Sequence, residues 1–466
     1  MLEDDVLYLS VRELGRRIRT KQISPVELAE SYLARSERLG PRLNAYVTIT
    51  RDLALDQAHT AEKELQRGHY RGLLHGIPYS AKDLLAVKGY PTTWGAKPYH
   101  NQHFDFDATV IERLNQAGAI LIGKAAMIEL AGGMNYRYAS ASLTGAAKNP
   151  WNEACWTCGS SSGSGAITSS ALAAFAIGTE TWGSIICPSA YCGISGLRPT
   201  FGRVSRFGAM ALAYSLDKIG PMARTADDCA LVLATIAAHD SRDRSSLPLA
   251  EASFPYPAPL PSSLRIGRLT NAWTKPDPEI ESAFVAALDV LNHHGMKISD
   301  AKLPEGPYEA AGGTIIAVEG AAAFRSLLDS GKVSELADPL GQIGGYVSEQ
   351  ISASDHMRAL QIRGVLQAKV DALFDEFDVL AAASLPIAAT PLETNLETDL
   401  TFSDPLGGIG NLCGLPAISV PCGFTSKELP IGIQFIARAR NDRAVVAAAN
   451  AFQQNTSWHT KRPPIA

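Results

Sequence analysis

Apolar and polar positions follow a helical period through residues 9–70. Leu28, Tyr32 and Leu33 fall on one face when three to four residues make a turn. Just upstream, Ser24-Pro25-Val26-Glu27 combines a serine cap, a proline at the first helical position and a glutamate three residues after the cap. We therefore predict that an N-terminal part, about residues 1–70, is helical.

Farther along the chain, short apolar segments alternate with amphipathic ones, which predicts α/β layers. Buried strands are expected at 71–83 and 119–122, with a helix over 107–116 between them. Later strands are expected at 264–269, 296–298, 379–383, 417–420 and 431–437, the last of which should close the sheet. Helices are predicted over 278–294 and through most of 308–376.

A change in composition marks residues 240–263 as an exposed connection. Charged residues lie at its start and five prolines follow between Pro248 and Pro261, which is typical of turns and loops. This connection separates a central part, residues 71–240, from a C-terminal part, residues 264–466. Within the latter, the helical block 308–376 is expected to cover the functional site and to set specificity.

Charge and hydropathy narrow the possible classes of protein. Lys and Arg number 42 against 47 Asp and Glu, a net charge of −5, so the chain lacks the basic surplus of a protein that holds nucleic acid by itself. No segment reaches the ~18 consecutive apolar residues of a membrane span. The acidic start at Glu3, Asp4 and Asp5 is unlike a signal peptide. We therefore predict a cytoplasmic protein with no membrane or direct nucleic-acid partner.

The cysteines do not indicate a metal or disulfide framework. There are seven in 466 residues, an odd and sparse set that predicts reduced thiols. Cys155 and Cys158 form one CxxC pair, but a zinc site would need a second pair or nearby histidines. Cys187 and Cys192 do not supply it, so chance or packing is the favoured interpretation, and the role of the pair stays open.

Small residues dominate 158–208, and Gly159–Gly165 contains only Ser and Gly. Such composition is typical of linkers, but the apolar segment 171–177 follows closely and favours a tight loop against a core. Residues 159–163 also match GxSxG, the nucleophile elbow of α/β-hydrolases. That elbow needs a strand directly upstream, and residues 151–157 are polar and mixed, so we disfavour it.

Other nucleophile and phosphate motifs are incomplete. Ser215 and Lys218 match SxxK without the SDN and KTG elements that accompany it in penicillin-binding enzymes, and GxxxxGK[ST] is absent. None of the ten histidines lies in an HExxH pair or in the glycine-rich region. A third interpretation joins distant segments: Lys82 at the end of an apolar strand, with serines from the glycine-rich turns Cys158–Ser164 and Gly178–Pro188.

With these residues, the sequence resembles the amidase signature family. The family's Gly-Gly-Ser-Ser-Gly-Gly-Ser element falls on Cys158–Ser164, and its Asp-Thr-Gly-Gly-Ser element falls on Glu180–Ser184. Further matches lie at Leu74–Pro78, Gly196–Thr200, Gly202–Ser205, Leu216–Pro221 and Gly414–Pro421. The resemblance implies one compact α/β/α domain over residues 1–466, with a large mixed β-sheet flanked by helices.

The resemblance also implies a Ser–Ser–Lys triad that hydrolyses an amide bond without metal or cofactor. Lys82 matches the family's base, Ser160 matches its bridging serine, which follows a cis peptide bond, and Ser184 matches its nucleophile. Taken alone, Lys82 could form a surface ion pair with Asp83, Ser160 could be a turn residue, and Ser184 could cap a helix. The joint pattern favours the catalytic interpretation.

The chemistry of these residue types is consistent with the implied roles. A serine hydroxyl needs a base to become a nucleophile, and a lysine can be that base only if burial lowers its pKa from ~10.4. The apolar segment before Lys82 makes such an enclosure plausible. The oxyanion needs preorganised donors, and the candidates are the backbone N–H groups of Thr181, Trp182, Gly183 and Ser184.

Several positions depart from the family's pattern. Glu180 replaces Asp, Trp182 replaces Gly, Ile186 replaces Arg, and Cys158 and Ser162 replace glycines. If the family's glycine requires positive φ, a tryptophan there is strained. The Trp182 side chain either shapes the pocket or serves as ordinary packing.

Two other functions stay open beside a stand-alone amidase. The family includes the amidase subunit of tRNA-dependent amidotransferases, and the departures around Ser184 favour the stand-alone enzyme over it. A catalytically silent binding scaffold is the alternative of another class. The expected substrate is a small-molecule or peptide amide that Met134, in the loop 131–138, is a candidate to contact. A homo-oligomer is compatible with the sequence.

Overall fold

One large β-sheet runs through the computed structural model, which describes residues 2–257, 263–400 and 402–465. The strands of the described residues are β1 (Tyr46–Ile49), β2 (Pro78–Lys82), β3 (Ile120–Ala125), β4 (Lys148–Asn149), β5 (Asn152–Trp156), β6 (Phe175–Glu180), β7 (Ser195–Arg198), β8 (Lys218–Ala223), β9 (Arg265–Leu269), β10 (Lys297–Ala301), β11 (Val379–Ala383), β12 (Ala417–Phe424) and β13 (Pro430–Ile436). Eleven of them form the sheet in the order β1-β3-β2-β6-β8-β7-β12-β13-β11-β9-β10, and β4 pairs with β5 separately.

Helices pack against this sheet along its length. In the described part of the chain they are α1 (Asp4–Leu7), α2 (Val11–Arg19), α3 (Pro25–Leu43), α4 (Arg51–Gln66), α5 (Thr109–Gln116), α6 (Ser162–Ser169), α7 (Ile186–Cys192), α8 (Ala226–Ile236), α9 (Leu249–Ala252), α10 (Pro278–His293), α11 (Tyr308–Ala323), α12 (Arg325–Asp329), α13 (Pro339–Ser348), α14 (Ala353–Leu373), α15 (Pro405–Leu412) and α16 (Asp442–Gln454). α4 contacts β3, α6 contacts β6, and α10 and α16 contact β12, whereas α11 packs on α13, α14 and α15. The predicted mixed α/β class is confirmed.

The centre of the sheet explains why distant segments meet. β2 lies between β3 and β6 and runs parallel to both. Parallel neighbours bring their carboxyl ends to the same edge of a sheet. The residues at the ends of β2 and β6, and the turns that follow, therefore come together although about a hundred residues separate them in sequence.

Several predicted elements are confirmed with adjusted ends. α3 begins at Pro25, and the Ser24 hydroxyl accepts hydrogen bonds from the backbone of Val26 and Glu27 at 3.0 and 3.3 Å, as the capping pattern indicates. The helical block after residue 308 and the strand–helix–strand unit after residue 264 are also present. The strand expected over 71–83 is limited to β2, because the chain still turns at Gly76, where φ is +79°.

Three predictions about strands are wrong. The N-terminal part, about residues 1–70, is not helical throughout, because it contains β1, which pairs antiparallel with β3. Residues 151–157 contain β5, which pairs with β4 and is held further by a 2.8 Å hydrogen bond from the Trp156 backbone N–H to the Thr390 carbonyl. Polar composition did not reveal this strand, because most of its residues are at least partly exposed. The last strand does not close the sheet: β13 lies in the interior between β12 and β11, and β10 lies at that edge.

The predicted connection at 240–263 is exposed at most of its described positions, but its beginning is anchored. Asp240 accepts a 2.8 Å hydrogen bond from the Ser205 hydroxyl, and Asp243 accepts one of 2.8 Å from the Arg206 backbone N–H. Both carboxylates are buried, since these donors replace water. Residues 258–262 of the connection lie outside the described residues.

No helix in the described ranges is both long and apolar enough to cross a bilayer.

We expect Gly163→Ala to destabilise the fold, because α6 approaches the backbone of neighbouring strands there. A Cβ atom at Gly163 would lie 2.4 Å from the Ala45 carbonyl oxygen and 2.5 Å from the Ala126 nitrogen. Overpacking of this kind costs ~1–3 kcal/mol or more. Urea denaturation measures the loss in the free energy of unfolding.

The matched control is Gly364→Ala in α14, where nothing lies within 4 Å of the added methyl group. Alanine is favoured over glycine in a helix by ~0.5–1 kcal/mol, so this variant should be as stable as the parent or more stable. Equal stability of the two alanine variants would contradict the packing argument.

Candidate active site

The three side chains singled out from the sequence meet in one chain of hydrogen bonds. Lys82 ends β2, Ser160 lies in the turn between β5 and α6, and Ser184 lies in the turn between β6 and α7. Lys82 Nζ donates to Ser160 Oγ at 2.7 Å, and Ser160 Oγ donates to Ser184 Oγ at 3.0 Å. The peptide bond between Gly159 and Ser160 is cis.

All three side chains are buried, and Ser184, 7% exposed, is the most accessible of them. The alternative of a surface ion pair between Lys82 and Asp83 is wrong, because both residues are fully buried. Asp83 instead pairs with Lys124 of β3 at 2.8 Å.

Burial controls the charge of Lys82. It lowers the pKa of the Lys82 amine to about 7, against the opposing influence of the negative charges of Asp217 and Glu180. The second acceptor of the amine is the hydroxyl of Thr179, at 2.9 Å. Thus the atoms that Lys82 bonds are hydroxyl oxygens, which accept its hydrogen bonds but carry no negative charge to stabilise the ammonium form. Thr179 lies within the glycine-rich segment Gly178–Pro188, but the sequence analysis assigned it no role.

The turn that carries Ser184 has one residue in the left-handed region. The left-handed conformation falls on Gly183, with φ of +77°, and not on Trp182, so the strain considered for Trp182 does not arise. Glycine is required at 183 also for space, because a Cβ atom there would lie 2.7 Å from Cys187 Sγ. Among the described residues, none accepts a hydrogen bond from the backbone N–H groups of residues 181–184.

Glu180, which the sequence marked only as a departure, braces this turn. One carboxylate oxygen accepts hydrogen bonds from the N–H groups of Ile185 and Ile186 at 2.9 and 3.0 Å. The other accepts from Arg198 at 2.6 Å and from Asn411 at 3.2 Å. Burial would raise the pKa of Glu180, but the charge and hydrogen bond of Arg198 lower it below its usual value.

Asp217 ties the beginning of the turn to a second loop. Its carboxylate accepts a 2.6 Å hydrogen bond from the Thr181 hydroxyl and further bonds from the backbone of Leu212 and Ala213. Burial raises the pKa of Asp217 against these donors. Both ends of the turn are therefore fixed by buried carboxylates.

The Trp182 side chain leaves the turn toward the helical block. Its Nε1–H donates to Asp404 Oδ2 at 3.1 Å, and its ring lies beside Gly312 of α11 and Gly408 of α15. Burial raises the pKa of the Asp404 carboxyl to about 6. Trp182 is half-buried in this position.

The remaining candidates lie elsewhere. Met134 is 2% exposed and its sulfur packs beside Gly345 of α13, so its contact with a substrate stays a prediction. Ser161, the serine of the GxSxG match, is fully buried and its hydroxyl donates to the Thr179 carbonyl at 3.1 Å. Lys218 of the SxxK match donates to the Leu216 carbonyl. Ser161 and Lys218 thus hold backbone in place.

No cluster of three or more potential metal ligands occurs in the described ranges. Cys155 and Cys158 are free thiols.

The chain is similar to known proteins over almost its whole length. The profile of the Amidase family matches residues 27–446. A glutamyl-tRNA(Gln) amidotransferase subunit of Chloroflexus aggregans is 35% identical over 98% of this chain and 99% of its own length. Among solved structures, native peptide amidase from Stenotrophomonas maltophilia superposes with a TM-score of 0.87 at 28% identity, over 98% of both chains. The glutamyl-tRNA(Gln) amidotransferase subunit from Thermotoga maritima gives 0.78 at 25% identity, over 98% of this chain and 96% of its own.

We expect Glu180→Gln to destabilise the protein and to lower activity through displacement of the turn. The amide cannot accept from two backbone N–H groups and also neutralise Arg198, and removing one partner of a buried ion pair costs ~3–5 kcal/mol. Urea denaturation and activity of the folded fraction measure the two effects.

The control is Asp378→Asn in the Arg265–Asp378 pair, whose side chains are 48% and 33% exposed. Exposed pairs contribute ~0–1 kcal/mol, so the effect there should be small. If Glu180→Gln were as mild as this control, the bracing role of Glu180 would be wrong.

Proposed function

The chain belongs to the amidase family, and we propose that it hydrolyses a carboxamide C–N bond through Lys82, Ser160 and Ser184. The reaction passes through an acyl-enzyme and releases ammonia or an amine. The observation that carries this proposal is the continuous path from the buried amine to the two hydroxyls, with donor–acceptor distances of 2.7 and 3.0 Å.

The path supplies the proton transfers of acyl transfer. The hydroxyls rotate so that Ser184 donates to Ser160 and Ser160 donates to the neutral Lys82. As Ser184 Oγ attacks the carbonyl carbon, its proton moves to Ser160 while the Ser160 proton moves to Lys82. Ser160 then protonates the leaving nitrogen, regains a proton from Lys82, and the C–N bond breaks. Water, activated along the same path, hydrolyses the ester.

The turn supplies the electrostatic part of the mechanism. The N–H groups of Thr181, Trp182, Gly183 and Ser184 are the proposed oxyanion donors, since no described residue accepts a hydrogen bond from them. One such donor is worth ~2.7–4 kcal/mol of barrier. Glu180 and Asp217 hold the turn from either end, so the donors are preorganised.

A stand-alone amidase is favoured over a subunit of a tRNA-dependent amidotransferase. The curated relatives named as glutamyl-tRNA(Gln) amidotransferase subunits match over nearly the whole chain, which keeps that second function open. However, the fold superposes better on the peptide amidase than on the amidotransferase subunit from Thermotoga maritima, with TM-scores of 0.87 and 0.78. Trp182 also occupies the nucleophile turn, where the family pattern has glycine.

Two experiments separate these functions from each other and from a silent scaffold. Ammonia release is measured with glutamine, asparagine, aryl amides and C-terminally amidated peptides, and copurification tests for partner subunits. Glutamine turnover only with copurified subunits would favour the amidotransferase. Failure of a fluorophosphonate to label Ser184 would favour the scaffold. As part of the proposal, the substrate is a small-molecule or peptide amide and the enzyme is cytoplasmic.

Ser184→Ala should lower kcat by about 10⁴-fold or more, as expected for a lost serine nucleophile, without unfolding the protein. Ser189→Ala is the matched control, because Ser189 is a buried serine in α7 whose hydroxyl bonds no described residue. Ammonia release and thermal melting measure both variants. Near-normal turnover by Ser184→Ala would end its assignment as nucleophile.

The activity should depend on pH through Lys82. Because the neutral amine is the active form and its pKa is about 7, kcat/KM should fall about tenfold per unit below pH 7 and level off above it. The measurement is kcat/KM from about pH 5.5 to about pH 9, with tryptophan fluorescence to confirm folding. A flat profile, or an active Lys82→Met variant, would assign the base elsewhere.

A further inference from the structure

The indole of Trp182 packs against three glycines, whose missing side chains provide the space for the ring. A Cβ atom at Gly312 of α11 would lie 2.2 Å from Trp182 Cζ3. Cβ atoms at Gly407 and Gly408 of α15 would lie 2.6 Å from Nε1 and 3.1 Å from Cη2. The first two distances are shorter than real Cβ contacts and the third is tighter than an ordinary one, so the two helices contact the ring closely with backbone. The ring cannot move farther toward these helices.

Asp404 fixes the orientation of the ring. Its Oδ2 accepts the indole N–H at 3.1 Å, while its Oδ1 accepts the Gly407 N–H at 2.8 Å at the start of α15. The acceptor is therefore itself held by the helix that the ring contacts. Packing and hydrogen bond together define one position for the indole.

This position borders the approach to the nucleophile. In the segments 155–160 and 181–187, Cys158, Trp182 and Cys187 are the partly exposed residues, and the others are buried. Within these two segments, the side chains that a substrate at Ser184 can contact are therefore Trp182 and the two cysteines.

The proposed chemistry decides which part of the substrate faces the ring. Ser160 protonates the leaving nitrogen, so the leaving group lies toward the segment 158–160. The acyl substituent lies on the other side of the carbonyl carbon, and the proposal places it against the indole. This step rests on the proposed function.

We propose that Trp182 is a specificity-determining residue that limits the acyl group of the substrate. With the ring in this position, the site accepts carboxamides whose acyl chain is unbranched at the carbon next to the carbonyl. It excludes carboxamides that are branched at that carbon. Removing the indole leaves a cavity between α11 and α15 beside Ser184. Because Trp182 belongs to the turn that carries Ser184, we expect that cavity to accept branched acyl groups.

The test compares two isomeric primary amides, pentanamide and 2,2-dimethylpropanamide, which share ammonia as leaving group and differ in branching. The parent enzyme should prefer the linear amide. Because accepting or rejecting one methylene changes kcat/KM by about 10- to 200-fold, Trp182→Ala should shift the ratio of kcat/KM, branched over linear, upward by about tenfold or more. Trp182→Phe, which retains a ring, should keep the parent's preference.

A change confined to structure is distinguishable from this shift. General damage in Trp182→Ala lowers kcat/KM equally for both amides and leaves their ratio unchanged, which would overturn the proposal. Trp182→Leu serves as a second enlarging variant if the alanine variant melts early. Its ratio should also move toward the branched amide, and a ratio equal to the parent's would count against the proposal.

Failure of the proposed function has a different signature. A second measurement of the preference for branched over linear groups does not need turnover. It is the ratio of the rates at which a branched-chain and a straight-chain fluorophosphonate label Ser184. If the parent neither turns over amides nor is labelled, the serine-nucleophile function and this inference fail together. If the parent is active and Ser184→Ala is silent, but both enlarging variants of Trp182 keep the parent's ratio, only the role of Trp182 is wrong.

Discussion

A lysine amine whose pKa is lowered to about 7 is the constraint on which the site depends, and the sheet creates it by burial without a carboxylate partner. The neighbouring strand provides the contrast. Lys124 of β3 is also fully buried, but its amine lies 2.8 Å from Asp83 and forms an ion pair. Lys82 of β2 bonds two hydroxyls instead. Two buried lysines on adjacent strands therefore have different partners, and only the one without a carboxylate partner is the proposed base.

The acidic residues near Lys82 can stay close because each has other donors. Glu180 accepts hydrogen bonds from Arg198, Asn411 and two backbone N–H groups. Asp217 accepts hydrogen bonds from the Thr181 hydroxyl and from the backbone of the loop that precedes Asp217. Their charges raise the pKa of Lys82, but burial outweighs them. The same bonds immobilise the turn of Ser184. Positioning of the proposed nucleophile and control of the proposed base thus depend on one buried polar network.

Part of this site could be predicted from the sequence because short motifs encode local shape. The glycines and serines of Cys158–Ser164 and Glu180–Ser184 specify tight turns, and the apolar residues of β2 indicate a buried strand that ends at Lys82. The partners of these motifs carry no such local signal. Thr179 looks like any strand residue, and Asp404 and Asn411 lie more than two hundred residues from the turn they support. Composition also failed for β5, whose polar residues face solvent.

By itself, the sequence determined the mixed α/β class, the helical block and the three residues on which the chemistry is proposed to depend, since each follows from periodicity or from a motif of a few adjacent residues. Only the tertiary structure decided that Glu180 braces the turn, that the left-handed conformation falls on Gly183, and that the Trp182 indole lies between α11 and α15. The physical reason is that burial and hydrogen bonding depend on which surfaces meet. Strand order and helix packing determine which surfaces come into contact, and no short segment of the sequence specifies either of them.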